Sequence, residues 1–295
     1  MLIRKILIPL SGRYDPDDPE DFDVPSLQMG FHVAQRFNAH AEVLCVTGEP
    51  SAPDERWAAW VPGYGVRQVI SWLEKESEAR RRRARRAYEQ ILAAYDPPPA
   101  TRHVPGPGFS TAFIEQVGEI GESVGKHGRL SDLIVLATSW TQWQMPFRPI
   151  LDASLHRTAC PLLVSPPKAP SSLASRIAIA WNDTVEAARA VSASLGLLSA
   201  AQGVFVICCK ESETVSPVPD GLIDYLAWHE IRAEPIELAA PPRQAASAIA
   251  EAALAHGCDL VVAGAYCHTR ARSLLFGSMT EYMLSEPKLP VLIVP

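Results

Sequence analysis

Short apolar runs alternate with longer amphipathic segments along the whole chain, and the alternation is clearest in the second half. Arg176-Ile177-Ala178-Ile179-Ala180-Trp181 has the length and apolar content of a buried strand. Asn182-Asp183-Thr184 follows with side chains that cap helices, and Ala187, Val191, Leu195 and Leu198 then recur on one helical face. Gly203 to Cys209 is the next apolar run. A helix is predicted over Gly221 to Arg232, with Leu222, Tyr225, Leu226 and Ile231 as its apolar members, and a short strand over Pro235 to Leu238. Gln244 to His256 is rich in alanine and helical in propensity, and Gly257 is suited to end it. Asp259 to Gly264 is a strand, a loop runs to Gly277-Ser278, a helix follows to about Glu286, and Leu289 to Pro295 is a final strand. Strands that alternate with helices imply crossover connections and a parallel sheet covered on both faces.

The first half repeats this order. Lys5 to Leu10 corresponds to Arg176–Trp181, Ala41 to Val46 to Gly203–Cys208, Asp132 to Ala137 to Asp259–Gly264, and Cys160 to Val164 to Leu289–Val294. A repeat of this length is too long for a solenoid and signals duplicated domains. Ser165 to Ser172, rich in proline and serine, reads as the linker. The expected organisation is an α/β chain of two tandem open parallel-sheet domains, residues 1–167 and 174–295.

The first copy carries insertions. Arg13 to Asp23 is acidic but lacks the spaced ligands and the glycine of an EF-hand loop, so it reads as a solvated loop. Ser51 to Gly65 brings Trp57, Trp60 and Tyr64, either as a lid or contact surface or as packing under a loop. A long helix is predicted from Val66 to Tyr95. Its run Arg80-Arg81-Arg82-Arg83 with Arg85-Arg86 follows Glu74, Glu76 and Glu78, which can pair at i,i+4, while Ala84, Ala87, Tyr88, Ile91 and Leu92 form an apolar face. The arginines therefore read as a solvated face rather than a nucleic-acid contact.

Composition narrows the function classes. The 295-residue chain is 47% hydrophobic and carries a net charge of −6, which argues against a general nucleic-acid binder. No apolar run is long enough to span a bilayer, and Met1 to Lys5 leads into a strand without the features of a secretory signal, so the expected location is the cytoplasm. Cys45, Cys160, Cys208, Cys209, Cys258 and Cys267 show neither a CxxC pair nor zinc spacing and read as reduced thiols in apolar runs. No metal site is expected.

Candidate chemistry is concentrated between Gly264 and Met279. The segment leaves a buried strand and ends at a helix start. In open parallel sheets ligands bind beyond the carboxyl ends of the strands. Glycine there admits close approach of a ligand to the backbone, Gly277-Ser278 offers N–H groups and a hydroxyl to an anion, and His268, Arg270 and Arg272 add donors and charge.

On these residues the second half resembles a universal stress protein domain, and the whole chain resembles the tandem form of that family. The family loop is G-x2-G-x9-G-[ST] after the fourth strand. Gly264, Gly277 and Ser278 match it, and Cys267 stands in place of the second glycine. The resemblance implies a Rossmann-like, adenine nucleotide alpha hydrolase-like fold. It also implies a binding set of Ala180, Asn182, Ala263, Gly264, Cys267, His268, Arg270, Gly277, Ser278 and Met279 for ATP or AMP. Asn182 occupies the place of a family aspartate near the adenosine, with Ser11 in that place in the first copy, and Ala180 falls where the family often has proline, which Pro9 keeps. In the first copy Ala137 replaces Gly264, Arg148-Pro149 replaces Gly277-Ser278, and Trp140, Trp143, Met145 and Phe147 make the segment bulkier. Pro149 has no N–H for an anion, so no nucleotide is expected in that half.

Three functions follow as expectations. The first is a non-catalytic stress-response or signalling protein that senses an adenine nucleotide in the second copy and offers a surface to an unknown protein partner. The second is a ligand-free architectural module in which Leu289–Val294 pairs with Cys160–Val164 as a pseudo-dimer within one chain, a homodimer of tandems remaining open. The third is a slow nucleotide hydrolase with His268 as base, disfavoured because no catalytic triad, nucleophile elbow or Walker loop is present.

Overall fold

The structure is a computed structural model of the full chain. It describes residues 3–13, 23–48, 63–95, 99–101, 108–138, 147–168, 170, 172–210, 219–241, 244–265 and 287–295. Within these, the first half comprises β1 (Lys5–Leu10), α1 (Asp23–Phe37), β2 (His40–Thr47), α2 (Gly63–Leu92), β3 (Ser110–Val117), α3 (Ile120–Gly128), β4 (Leu133–Ala137), α4 (Phe147–His156) and β5 (Leu162–Ser165). The second half comprises β6 (Arg176–Trp181), α5 (Val185–Leu198), β7 (Gly203–Lys210), α6 (Asp220–Trp228), β8 (Ala233–Ala239), α7 (Ala245–Ala255), β9 (Leu260–Gly264) and β10 (Val291–Val294).

All ten strands form one sheet in the order β3-β2-β1-β4-β5-β10-β9-β6-β7-β8. Each half thus has the same internal order, and neighbours within a half are parallel. At the middle β10 runs antiparallel to β5, with Val291 opposite Val164 and Ile293 opposite Leu162. The pairing expected between the two last strands is therefore present, and it joins the halves edge to edge so that neither central edge is left open.

Alternation of side chains along each strand divides the core into two layers. Ile6, Ile8, Val43 and Cys45 pack under α1 and α2, and Ile179, Val206 and Cys208 under α5 and α6. Leu7, Leu44 and Val46 face α3 and α4, while Phe205 and Ile207 face α7. Cys208 and Cys209 fall on opposite layers, as adjacent strand residues must. Cys45, Cys160, Cys208, Cys209 and Cys258 are free thiols, and burial pushes Cys45 and Cys160 up to about 12. Cys267 lies outside the described residues.

The duplication extends to its fastenings. Asp132 before β4 accepts the N–H groups of Arg4 and Lys5 at 2.8 and 2.9 Å. Asp259 before β9 accepts those of Ser175 and Arg176 at 2.9 and 3.0 Å. Each aspartate ties the start of a fourth strand to the start of a first. Among the described residues no helix is long and apolar enough to cross a membrane.

Candidate functional site

In each half the chain order reverses between the first strand and the fourth, at β1/β4 and at β6/β9. Crevices in open α/β sheets form at the carboxyl ends of the strands flanking such a reversal. The residues there are Ser11 and Ala137 in one half, Asn182 and Gly264 in the other.

The second of these junctions is exposed. Ala180 and Trp181 at the end of β6 are partly buried, and Asn182 and Asp183 lie in the open. Asp183 holds a left-handed turn with φ 56°, a conformation that aspartate tolerates. Thr184 is the N-cap of α5, its hydroxyl accepting the Ala187 N–H at 3.3 Å. That hydroxyl donates to Asn182 Oδ1 at 2.8 Å, so the cap also fixes the Asn182 side chain. The capping chemistry expected of Asn182-Asp183-Thr184 is thus delivered by Thr184.

Ala263 is buried within β9, and Gly264 follows it. A Cβ on Gly264 would lie 2.4 Å from the Glu186 carbonyl carbon and 2.6 Å from the Ala187 nitrogen. The first turn of α5 therefore comes down onto the bare Cα of Gly264. This modifies the expectation that the glycine leaves room for a ligand: the space a side chain would take there belongs to a helix, and the glycine brings that helix N-terminus to the crevice. The remaining members of the anticipated set, Cys267, His268, Arg270, Gly277, Ser278 and Met279, lie outside the described residues, as does Arg272.

The first junction has the same turn but a different neighbourhood. Gly12 repeats the left-handed conformation with φ 70°, one residue beyond the completely buried Ser11. Asp23, the first residue of α1, is also completely buried and accepts the N–H groups of Ser11 and Gly12 at 2.7 and 2.8 Å. Burial raises the Asp23 carboxyl above the ordinary aspartate value, opposed by its bonds to Ser11 and Gly12 and by the charge of Arg80. From the other side α2 closes in. Arg80 donates from Nε to the Ser11 carbonyl at 2.9 Å and from Nη2 to the Val46 carbonyl at 3.3 Å. Arg83 Nε donates to the Gly12 carbonyl at 2.8 Å, and Arg81 reaches Thr47 Oγ1 at 3.0 Å.

The expectation of a solvated arginine face is therefore corrected in part. Arg82 keeps it, with its i,i+4 partner Glu78 at 2.5 Å. Arg83 pairs with Glu76 two turns earlier, Arg85 reaches across to Glu115 and lies over the Phe113 ring, and Arg80 and Arg83 serve carbonyls at strand ends. Main-chain acceptors distant in sequence leave no trace in the local charge pattern, which is why helix-based pairing overlooked them. The apolar face holds: Ala84, Ala87, Tyr88 and Ile91 are buried.

At the fourth strand of the first half, Ala137 N–H donates to Ser26 Oγ of α1 at 2.8 Å. A side chain thus serves the strand end where, in the second half, helix backbone packs directly on glycine. Arg148 and Pro149 lie in the first turn of α4, with Arg148 near Asp152 at 3.7 Å and Phe147 buried beneath. Trp140, Trp143 and Met145 lie outside the described residues, as do Trp57 and Trp60 and nearly all of the acidic loop.

Comparison with known proteins agrees with this fold. Residues 176–295 match the model of the universal stress protein family. The chain is similar in structure to a universal stress protein from Archaeoglobus fulgidus, at 13% identity and a TM-score of 0.61, covering 98% of this chain and 95% of that one. It is also similar to a functionally unknown protein from Pseudomonas aeruginosa, at 14% identity and a TM-score of 0.53, covering 99% and 92%. Among curated sequences no match is found. At such identities the structural likeness speaks for the fold, and the sequence match speaks for the second half. Residues 176–295 of this chain thus carry a match to the universal stress protein family, and the whole chain shares the fold of the universal stress protein from Archaeoglobus fulgidus.

Proposed function

We propose that this protein is a non-catalytic stress-response or signalling protein of the cytoplasm that binds an adenine nucleotide, ATP or AMP, at the carboxyl ends of β6 and β9 and not in its first half. The observation that carries the reading is the contrast between the junctions within a chain whose second half matches the family. Asn182 and Asp183 stand exposed beside the start of α5, whereas Ser11 and Gly12 are fully engaged by Asp23, Arg80 and Arg83. A helix N-terminus favours negative charge nearby, and in this reading Gly264 sets its distance from the crevice. Gly277, Ser278 and Arg270 then supply the donors for the phosphates, and binding orders the segment between Gly264 and Gly277 and so alters the surface offered to a protein partner.

Thermal melting tests this. A nucleotide present at about 100 times its Kd adds about 2.7 kcal/mol to folding stability. The melting temperature is expected to rise with ATP or AMP and to stay flat in a Ser278→Ala, Arg270→Ala double variant. If millimolar ATP, ADP and AMP all leave the wild-type transition in place, nucleotide sensing is wrong.

A second reading, an architectural module, is favoured by the antiparallel β5–β10 pairing that unites the halves into one sheet. It predicts that Ile293→Pro, which removes a ladder donor beside Leu162, lowers the melting of both halves together whether or not nucleotide is added.

A further inference from the structure

We infer that the first half carries its own ligand: α1 and α2 together occupy the turn at the end of β1, beside the β1/β4 crevice, as a built-in substitute for a bound molecule, and α2 is the strap that holds this turn closed. Successive N–H groups at a left-handed turn form a natural anion site. At Ser11-Gly12 those two donors are taken by one carboxylate of the chain itself, Asp23, at 2.7 and 2.8 Å. The carbonyls of the same two residues are taken by two guanidinium groups of the chain itself, Arg80 and Arg83, at 2.9 and 2.8 Å. Every main-chain group of the turn that would meet a ligand is thereby answered from within.

The backbone is shaped for this strap. A Cβ on Gly12 would lie 2.6 Å from the Arg80 carbonyl oxygen and 2.9 Å from its carbonyl carbon, so the turn residue is glycine where the helix main chain passes over it. The corresponding residue of the second half is Asp183, which carries a side chain at nearly the same φ and is exposed. The helix in the equivalent place also differs in reach: α2 has 30 residues and α6 has nine. The same turn is thus present in both halves, and among the described residues a long helix passes over the first. The strap stands on these contacts alone, so it holds whether or not the second half binds nucleotide.

Hydrogen–deuterium exchange on the full-length protein, without nucleotide, reads the strap directly. In the wild type the amides of Ser11 and Gly12 are expected to exchange as slowly as those of β1, and at least about tenfold more slowly than that of Asp183. Arg83→Ala, at a half-exposed position, should speed exchange at residues 11–13 several-fold without changing residues 176–184, and Arg80→Gln should do so more strongly and spread the effect to residues 46–48. Exchange at Ser11 and Gly12 as fast as at Asp183 in the wild type overturns the inference without any variant. So does a folded Arg83→Ala protein with unchanged exchange at residues 11–13.

Discussion

Gly12 and Asp183 hold the same left-handed turn at the same point of a duplicated fold, and their surroundings are opposite. Around Gly12 a carboxylate, two guanidinium groups and the main chain of a long helix close on the turn. Around Asp183 there is solvent, a capped helix start and a glycine-ended strand. The difference teaches that the turn geometry alone specifies no ligand. It supplies a set of main-chain donors and acceptors, and in the first half Asp23 and the arginines of the long helix after the second strand satisfy them.

Exchanging the turn residues is the harshest way to break the comparison. Gly12→Asp forces a side chain into the Arg80 main chain and a left-handed conformation on a non-glycine residue, and is expected to cost about 3 kcal/mol or more in denaturant unfolding. Asp183→Gly meets no such constraint and should stay within about 1 kcal/mol of the parent. Equal losses at the two sites would refute the asymmetry. Gly264→Ala is next: its methyl group would meet α5 backbone at 2.4 Å, and a loss of about 2 kcal/mol is expected, with the reciprocal Ala137→Gly costing about 1 kcal/mol. Thr184→Ala removes the α5 cap and with it about 1 kcal/mol, together with the fixed orientation of Asn182.

The smallest expected effect is a pH dependence that separates the halves at the other end of the sheet. Glu42 of β2 lies between Lys5, at 3.1 Å, and His127, at 2.5 Å. The equivalent place in β7 is Phe205, with the Arg176 guanidinium 4.9 Å from its ring centre and the His256 ring at 5.3 Å. Burial alone would raise the Glu42 carboxyl, but its bonds to His127 and Lys5 hold it below the ordinary glutamate value. A depressed folded value means that the contribution is fully present above the unfolded pKa of about 4.3 and fades as pH falls through the folded one. Glu42→Gln should therefore flatten the acid limb of the stability–pH curve by a few tenths of a kcal/mol, the pair being partly exposed. Phe205→Leu should leave that limb unchanged.

Much of this fold was legible because buried parallel strands are short unbroken apolar runs, as in Lys5–Leu10, Leu133–Ala137 and Leu260–Gly264. The pairing of Cys160–Val164 with Leu289–Val294 follows instead from the family resemblance, in which last strands pair across a dimer interface, and the structure has it. β3 is illegible in the sequence because it is a sheet edge, with only its first two residues buried and the polar Glu115 and Gln116 breaking its apolar run. Of the first half's helices α2 is legible from its apolar face, whereas α1 and α3 are obscured by interruptions such as Pro25 within α1 and three glycines within α3. The arginine run by itself suggests pairing within its own helix, and among the described residues Arg82–Glu78 obeys that local spacing. The packing of α5 on Gly264 is a backbone-to-backbone contact, which no side-chain pattern encodes.

Site-resolved nucleotide labelling tests the central claim most directly. Irradiation of the full-length protein with an azido-ATP analogue, followed by peptide mapping and competition with ATP and AMP, is predicted to place one competed label per chain, within residues 176–295. A competed label within residues 1–167 would contradict the closed first half, and no competed label anywhere would contradict the open second one.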